Sequence, residues 1–292
     1  MNDLMDLGEE VDHLKDEYVW LQRDQGESAL KQIESLMREC CRKLPISSKL
    51  RPGLSFPSSA VAQQPEKFVL ASRNSDSVRC TVTMLGENVV NTDVAIRYPK
   101  APGGTFRSVA QPDIQWKLQQ LQDAANFCAR AIETTLLTLQ RVRALRTAGQ
   151  DGTPAAGRQL ARAANHLVSQ LQAARAALMM PKKRSLLELQ EFRPNKCFNP
   201  SLPSDLLLSY YVSSSKIVCA AYHLQATQPA PGRQAFSVYQ GECHVPYLAD
   251  VLQTLNSALQ IAEQLKTKLA VFHDCKEMKT FLAGSGKTIA IK

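Results

Sequence analysis

The string Gly284-Ser285-Gly286-Lys287-Thr288 has the residue types of a phosphate-binding loop, in which backbone amides and a lysine cradle a nucleotide. A full loop carries another glycine five positions before Gly286, and Phe281 stands there. It also needs a strand before and a helix after, yet only four residues follow Thr288. The string therefore reads as a frayed terminus. Metal ligation is the second chemistry to weigh. Cys219 with His223, Cys243 with His244, and His273 with Cys275 are each close in sequence, but none is joined by a second pair at zinc-finger spacing. Satisfied polar groups are the expectation for all six. No GxSxG, HExxH or GxGxxG occurs, and the acidic residues lie mostly on helix faces, where neighbouring Lys or Arg can pair with them. The expectation is a chain with no catalytic site, cofactor, metal or small-molecule substrate.

Composition narrows the partners. With 44% hydrophobic and 21% charged residues, 292 residues suit one elongated or two compact domains, and only 6% aromatics favours aliphatic helix seams. The net charge of +8 is spread over residues such as Arg141, Arg143, Arg146, Arg158 and Arg162, which describes a solvated surface. Lys182-Lys183-Arg184 is short enough to be a solvated loop rather than a nuclear-import signal. A DNA-binding basic zipper needs a dense basic helix running into its heptads, and Gly149, Gly152, Pro154 and Gly157 break the only basic approach to one. The acidic start (Asp3, Asp6, Glu9, Glu10, Asp12) is unlike a secretory leader, so the eight cysteines are expected to be reduced thiols. No stretch approaches the roughly 20 apolar residues of a membrane span, so any membrane contact would be peripheral.

The elements that must carry such a surface are long helices. From Gln111 to Arg146, Ile114, Leu118, Leu121, Ala125, Cys128, Ile132, Thr135, Leu139 and Val142 alternate by four and three, predicting an axial helix capped by Asp113. An earlier helix, about Glu9 to Leu44, carries Val11, Leu14, Tyr18, Leu21, Ala29, Ile33, Leu36 and Cys40, with Gly26 a place where its register could shift. Leu160, Ala164, Leu167, Leu171, Ala174 and Leu178 predict a third helix folding back on the axial one. Pro246 opens a last helix ending near Phe272, with Leu248, Leu252, Leu255, Leu259, Ala262, Leu265 and Leu269 in its seam. Between the helices the period drops to two: Lys67–Ser72, Ser77–Gly86 (Val78, Cys80, Val82, Met84) and Val90–Tyr98 (Val90, Val94, Ile96, Tyr98) predict an antiparallel meander. Ser204–Ala226 fits either a helix or two strands, and Tyr210, Tyr211, Val212, Ile217 and Val218 favour strands. Gln234–Val245 predicts a final strand, and Leu186–Phe192 a short helix.

The fold class is thus α+β: an elongated, two-lobed protein with a discontinuous antiparallel helical bundle and a discontinuous antiparallel β domain. Residues 9–45, 112–192 and 246–280 form the helical part, 66–110 and 204–245 the β part, 46–65 a flexible linker, and 281–292 a tail. Trp116 falls off the predicted seam, so it packs on the β part or serves as a partner-binding anchor; tryptophan is enriched at such anchors.

Several strings carry a resemblance. They are Asp16-Glu17-Tyr18-Val19-Trp20-Leu21, Gln115-Trp116-Lys117-Leu118-Gln119-Gln120-Leu121-Gln122-Asp123-Ala124, Leu202-Pro203-Ser204-Asp205-Leu206-Leu207 and Tyr222-His223-Leu224-Gln225-Ala226. With the order of elements, they resemble the Rogdi family of leucine-zipper proteins over most of the chain. The resemblance implies pairing of the first and last helices, strands over Leu206–Ala226, and no catalysis. It implies an adaptor like the small subunit of RAVE and rabconnectin-type complexes, which help the peripheral sector of the vacuolar-type proton ATPase reassemble on its membrane sector. The expected partners are rabconnectin-type large subunits and peripheral-sector ATPase subunits. The expected location is cytoplasmic, with peripheral recruitment to acidifying vesicle or endosomal membranes and room for a nuclear pool. A monomer is expected when alone. The alternative is a nuclear or signalling coiled-coil protein dimerising through the Leu248–Leu269 seam.

Overall fold

The structure is a computed structural model describing residues 13–14, 16–45, 64–73, 75–112, 114–150, 153–225 and 236–285, with side chains described only to residue 272 in the last segment. The stretch read as a linker, 46–65, lies outside these residues except for its last two positions. Asp113, the expected cap, and Gly286 to Lys292 also lie outside. The fold is α+β. The chain falls into two compact units, one within Met1–Arg38, Cys128–Gln172 and Leu255–Lys292, the other within Glu39–Phe127 and Ala173–Thr254.

The first unit is helical. A π-helical segment Leu21–Gln25 runs into α1 (Gly26–Lys43). The expected register shift near Gly26 thus takes the form of a π turn. Leu160 supplies a reason for the glycine, since a Cβ at Gly26 would lie 2.7 Å from its Cδ2. α2 (Gln119–Thr147) ends with Gly149 at φ +65, its N–H donating to Arg146 and that of Gln150 to Leu145, which closes the helix in a Schellman motif. Thr153 then caps α3 (Pro154–Met179), its hydroxyl accepting from the Ala156 N–H at 3.3 Å. Within this unit the residues before and in α1 meet all the other long helices. Glu27 pairs with Arg143 (3.4 Å) and Arg146 (3.1 Å) of α2, and Gly157 of α3 lies against Tyr18 and Gln22. Gln25 accepts from Lys268 of α5 (Pro246–Ser285) at 2.7 Å, and the Tyr18 and Phe272 rings are 5.6 Å apart.

A Cβ at Gly157 would overlap the Tyr18 hydroxyl. Gly157→Ala is expected to lower stability by about 1–3 kcal/mol through overpacking, read as a fall in the thermal midpoint. Adding Tyr18→Ala should make the two losses less than additive. Strict additivity would mean that the contact does not limit the site.

The second unit holds one antiparallel sheet in the order β6-β4-β3-β2-β1-β9-β8-β7. Its strands are β1 (Glu66–Ala71), β2 (Val78–Leu85), β3 (Asn88–Ile96), β4 (Phe106–Ala110), β5 (Trp116–Lys117), β6 (Phe198–Asn199), β7 (Leu206–Ser213), β8 (Lys216–Leu224) and β9 (Phe236–His244); β5 lies off this path and pairs with β3. Ser214, at φ +57, turns β7 into β8, whose long apolar runs are buried on both faces. β1 meets β9 through Ala71 and Glu242, joining the two stretches of strand that the sequence separates. α1 and α5 also touch here: the Cys40 thiol points to the Val251 carbonyl at 3.9 Å, and Lys43 pairs with Asp250 at 3.0 Å. The short helix α4 (Leu186–Glu191) opens on a capping box between Ser185 and Glu188. Its Leu189 joins a buried cluster with Leu207, Tyr211, Val218, Ala220 and Tyr222.

Four readings of the sequence need correction. The axial helix begins at Gln119, so Ile114 and Trp116 are not helical and Leu118 only precedes the helix. Residues 114–118 alternate in burial, with Trp116 and Leu118 inside, because Trp116 pairs with Val89 and the Leu118 N–H donates to Glu87 at 2.7 Å. The inward face of β3 is Val89, Thr92, Val94 and Ile96, since a bulge opposite Thr83 and Met84 moves Val90 off it. β4, β5 and β6, the last two only two residues long, were not anticipated as strands. The last helix continues past Phe272 to Ser285, so the tail reading fails for 281–285.

Candidate functional site

The sequence-flagged chemical pairs do not converge. Cys219 sits in a buried cluster with Cys80, Thr92 and Tyr210, where Thr92 Oγ1 and the Tyr210 hydroxyl are 2.7 Å apart and Cys80 Sγ is 3.2 Å from Thr92. The hydrogen bond with Cys80, then burial, pushes the Cys219 thiol well above its ordinary range. Such a thiol is protonated and closed to solvent, which makes it a packing element. His223 lies four residues along the same strand in a different setting, its ring 4.9 Å from that of Tyr98 and its Nε2 3.4 Å from Asp205 Oδ2. His244 is within 3.1 Å of Ser215 and its carbonyl faces the Cys243 thiol. The side chains of His273 and Cys275 lie outside the described residues. Among the described residues no three His, Cys, Asp or Glu side chains are placed to hold a metal ion.

Trp116 is 3% exposed, between Phe198 at 5.5 Å and Tyr210 at 5.4 Å. It is therefore an internal contact of β5 and not an open anchor. The tryptophan that does face solvent is Trp20, 49% exposed beside the π turn.

Of the seam residues, Leu21, Ile33, Leu118, Leu121, Ile132, Leu139, Leu248, Leu255, Leu259, Leu265 and Leu269 are buried, whereas Leu14, Tyr18, Leu36, Ile114 and Leu252 are half-buried. The reading missed Leu30, Met37, Cys41 and Leu44 of the first helix segment, which are fully buried. Met37 and Cys41, at i and i+4, were the available signal, but alternation through Leu36 displaced them.

The Gln120 side chain ties together elements far apart in the sequence. Buried at the first turn of α2, its Nε2 lies among the carbonyls of Ala177 (3.0 Å), Met180 (2.9 Å) and Val212 (2.8 Å), which share its two N–H hydrogens, while its Oε1 accepts from the Val212 N–H at 2.9 Å. One carboxamide thus fixes the start of α2, the end of α3 and the strand β7. Beside it opens a groove of about 290 Å³ lined by Lys117, Gln119, Lys182, Lys183, Arg184 and Glu188. Lys183 stands 5.5 Å from the Tyr211 ring centroid and Arg184 stacks 4.1 Å from that of Phe192. Glu188 is committed to its capping box, accepting from the Ser185 N–H at 2.7 Å and hydroxyl at 3.0 Å, which holds its carboxyl below the ordinary range.

The phenols near this face titrate late. Burial pushes Tyr211 up to about 12, and burial likewise raises Tyr210 and Tyr222. The folded state then holds these protons more tightly than the unfolded chain, whose phenols release them near 10. The stabilisation is complete below pH 10 and is lost as pH rises through 12. A denaturation midpoint falling across that window is the expected result. A flat midpoint would contradict it.

A mixed α+β chain with leucine-lined helices buried within itself has the features of a zipper-type protein. The family profile described as "Rogdi leucine zipper containing protein" matches residues 17–279, and the chain belongs to that family. It is 38% identical over 254 residues to a protein rogdi homolog of Caenorhabditis elegans, covering 85% of each chain. It is 30% identical to protein rogdi of Drosophila melanogaster, over 97% of this chain and 96% of that one, and 29% identical to a homolog of Homo sapiens, over 89% and 92%. None of these names is an enzyme name.

Proposed function

We propose that the chain is a non-enzymatic adaptor that helps assemble and regulate the vacuolar-type proton ATPase, binding rabconnectin-type large subunits and peripheral-sector ATPase subunits. In this reading it is a two-lobed body with a helical bundle in one lobe, acting in the cytoplasm and recruited peripherally to acidifying membranes. Its action is to raise the effective concentration of the parts it holds. The observation that carries the reading is the burial of Leu248, Leu255, Leu259, Leu265 and Leu269 within a single chain. A seam already covered needs no second copy, which leaves other surfaces for unlike partners. Family membership supports the same reading. Affinity purification from cytosol and membrane fractions tests it: co-purification of rabconnectin-type proteins and ATPase subunits is expected. Their absence, when other family members retain them under the same conditions, would sink the proposal. Light scattering tests the nuclear or signalling alternative, for which a concentration-dependent dimer is the required result.

A further inference from the structure

We infer that the groove at Lys117 and Lys182-Lys183-Arg184, together with the exposed apolar residues flanking that run, is a docking surface for an anionic phospholipid membrane. The cations are concentrated: four line one groove with a single carboxylate, Glu188, already engaged by Ser185. Lys182 shares charge with Asp123 at 3.4 Å and Lys117 with Glu87 at 3.9 Å. Among the described residues, neither Lys183 nor Arg184 is in an ion pair. The Lys183 ammonium and the Arg184 guanidinium lie over the Tyr211 and Phe192 rings, which orients both heads without an ion pair, although the Arg184 charge also reaches the Glu188 carboxyl.

The apolar residues decide what kind of anion fits. Met180 is 69% exposed just before the run and Leu187 is 70% exposed just after it. Met179, at the end of α3, is also exposed. An acidic protein segment or a free phosphate would be served by the cations alone. Cations bracketed by solvent-facing methionine and leucine match a lipid surface, where headgroups take the charge and the upper acyl region takes the hydrocarbon. The backbone beneath is firm, because Met180 O accepts from Gln120 and α4 starts at a capping box. No helix among the described residues is long and apolar enough to cross a membrane, so the contact would lie on the surface.

This deepens the peripheral recruitment proposed above and rests on it, but protein-free vesicles test it separately. The full chain is co-sedimented with vesicles of phosphatidylcholine, and of phosphatidylcholine mixed with phosphatidylserine, at low and high salt. Binding only to the anionic vesicles, weakened by salt, is expected. Lys183→Glu with Arg184→Glu should weaken it by at least ~30-fold, from the surface attraction of two lost cations. Met180→Ser with Leu187→Ser should weaken it on the order of tenfold while leaving the salt dependence in place. All four positions are exposed, and a melt matching the parent chain verifies each variant's fold. Equal binding to both vesicle types, unchanged binding by the charge variant, or competition by an acidic peptide but no sedimentation with vesicles would each overturn the inference. Loss of vesicle binding with the subunits still co-purified would sink the lipid contact alone, and loss of the subunits with vesicle binding intact would sink the adaptor reading and with it the recruitment role given to this contact.

Discussion

Gln120→Leu is expected to lower stability by about 3 kcal/mol, a fall in Tm of about 5 °C for a chain of this size. The loss is large because leucine fills the space but strands polar groups: the carbonyls of Ala177, Met180 and Val212 and the Val212 N–H all lose their partner. Each buried group left unpaired costs about 1–3 kcal/mol, less whatever local water or backbone shifts recover. Gln120→Glu separates hydrogen bonding from shape. The carboxylate can still accept from Val212 but sets an anion against three carbonyl oxygens, so it should be at least as damaging at neutral pH and milder in acid, where protonation restores one donor. Thermal melts at two pH values read both effects. A Gln120→Leu melt within about 1 kcal/mol of the parent would mean that the carboxamide is not the tie between these elements.

The second large effect concerns the last helix. Leu255 is fully buried and Leu252 only half-buried, so Leu255→Ala is expected to cost about 3 kcal/mol and Leu252→Ala less than half of that. Both losses should be independent of protein concentration, because the seam is covered within one molecule. If the seam joined two copies, the melts of the parent and of both variants would shift with protein concentration. That outcome would favour the coiled-coil alternative.

Much of this was legible from periodicity. The helices containing Leu121–Leu139, Leu160–Leu178 and Leu248–Leu269 repeat at four and three over several turns, and so long a pattern admits no strand. β2 was equally plain, whereas the stretch of β7 and β8 fitted a helix as well as two strands, and only its residue types, Tyr210, Tyr211, Val212, Ile217 and Val218, favoured strands. The start of the axial helix was misread because Ile114 and Leu118 satisfy both periods: spaced by four, they fit a helix, and with Trp116 between them they fit a strand. Only the pairing of Trp116 with Val89, distant in sequence, separates the two. Val90 was placed inward for a similar reason, since one bulged residue inverts the face and leaves no mark in a run of valines.

The groove was half visible. Lys182-Lys183-Arg184 was noticed and read as a solvated loop, while Lys117 and the exposure of Met180 and Leu187 could come only from the fold. Gln120 gave no signal at all, because a glutamine in a helix is expected to face water. Its role depends on Val212, ninety-two residues away.

The contact between Cys40 and Val251 spans 211 positions. A ribosome adding about 5–20 residues per second needs on the order of tens of seconds to make the intervening polypeptide. Throughout that interval Cys40 waits without the segment around Val251 that meets it in the folded chain. A premature stop codon anywhere before Pro246 would make the wait permanent, so that a truncated product is a problem for the chaperones first and a loss of function second.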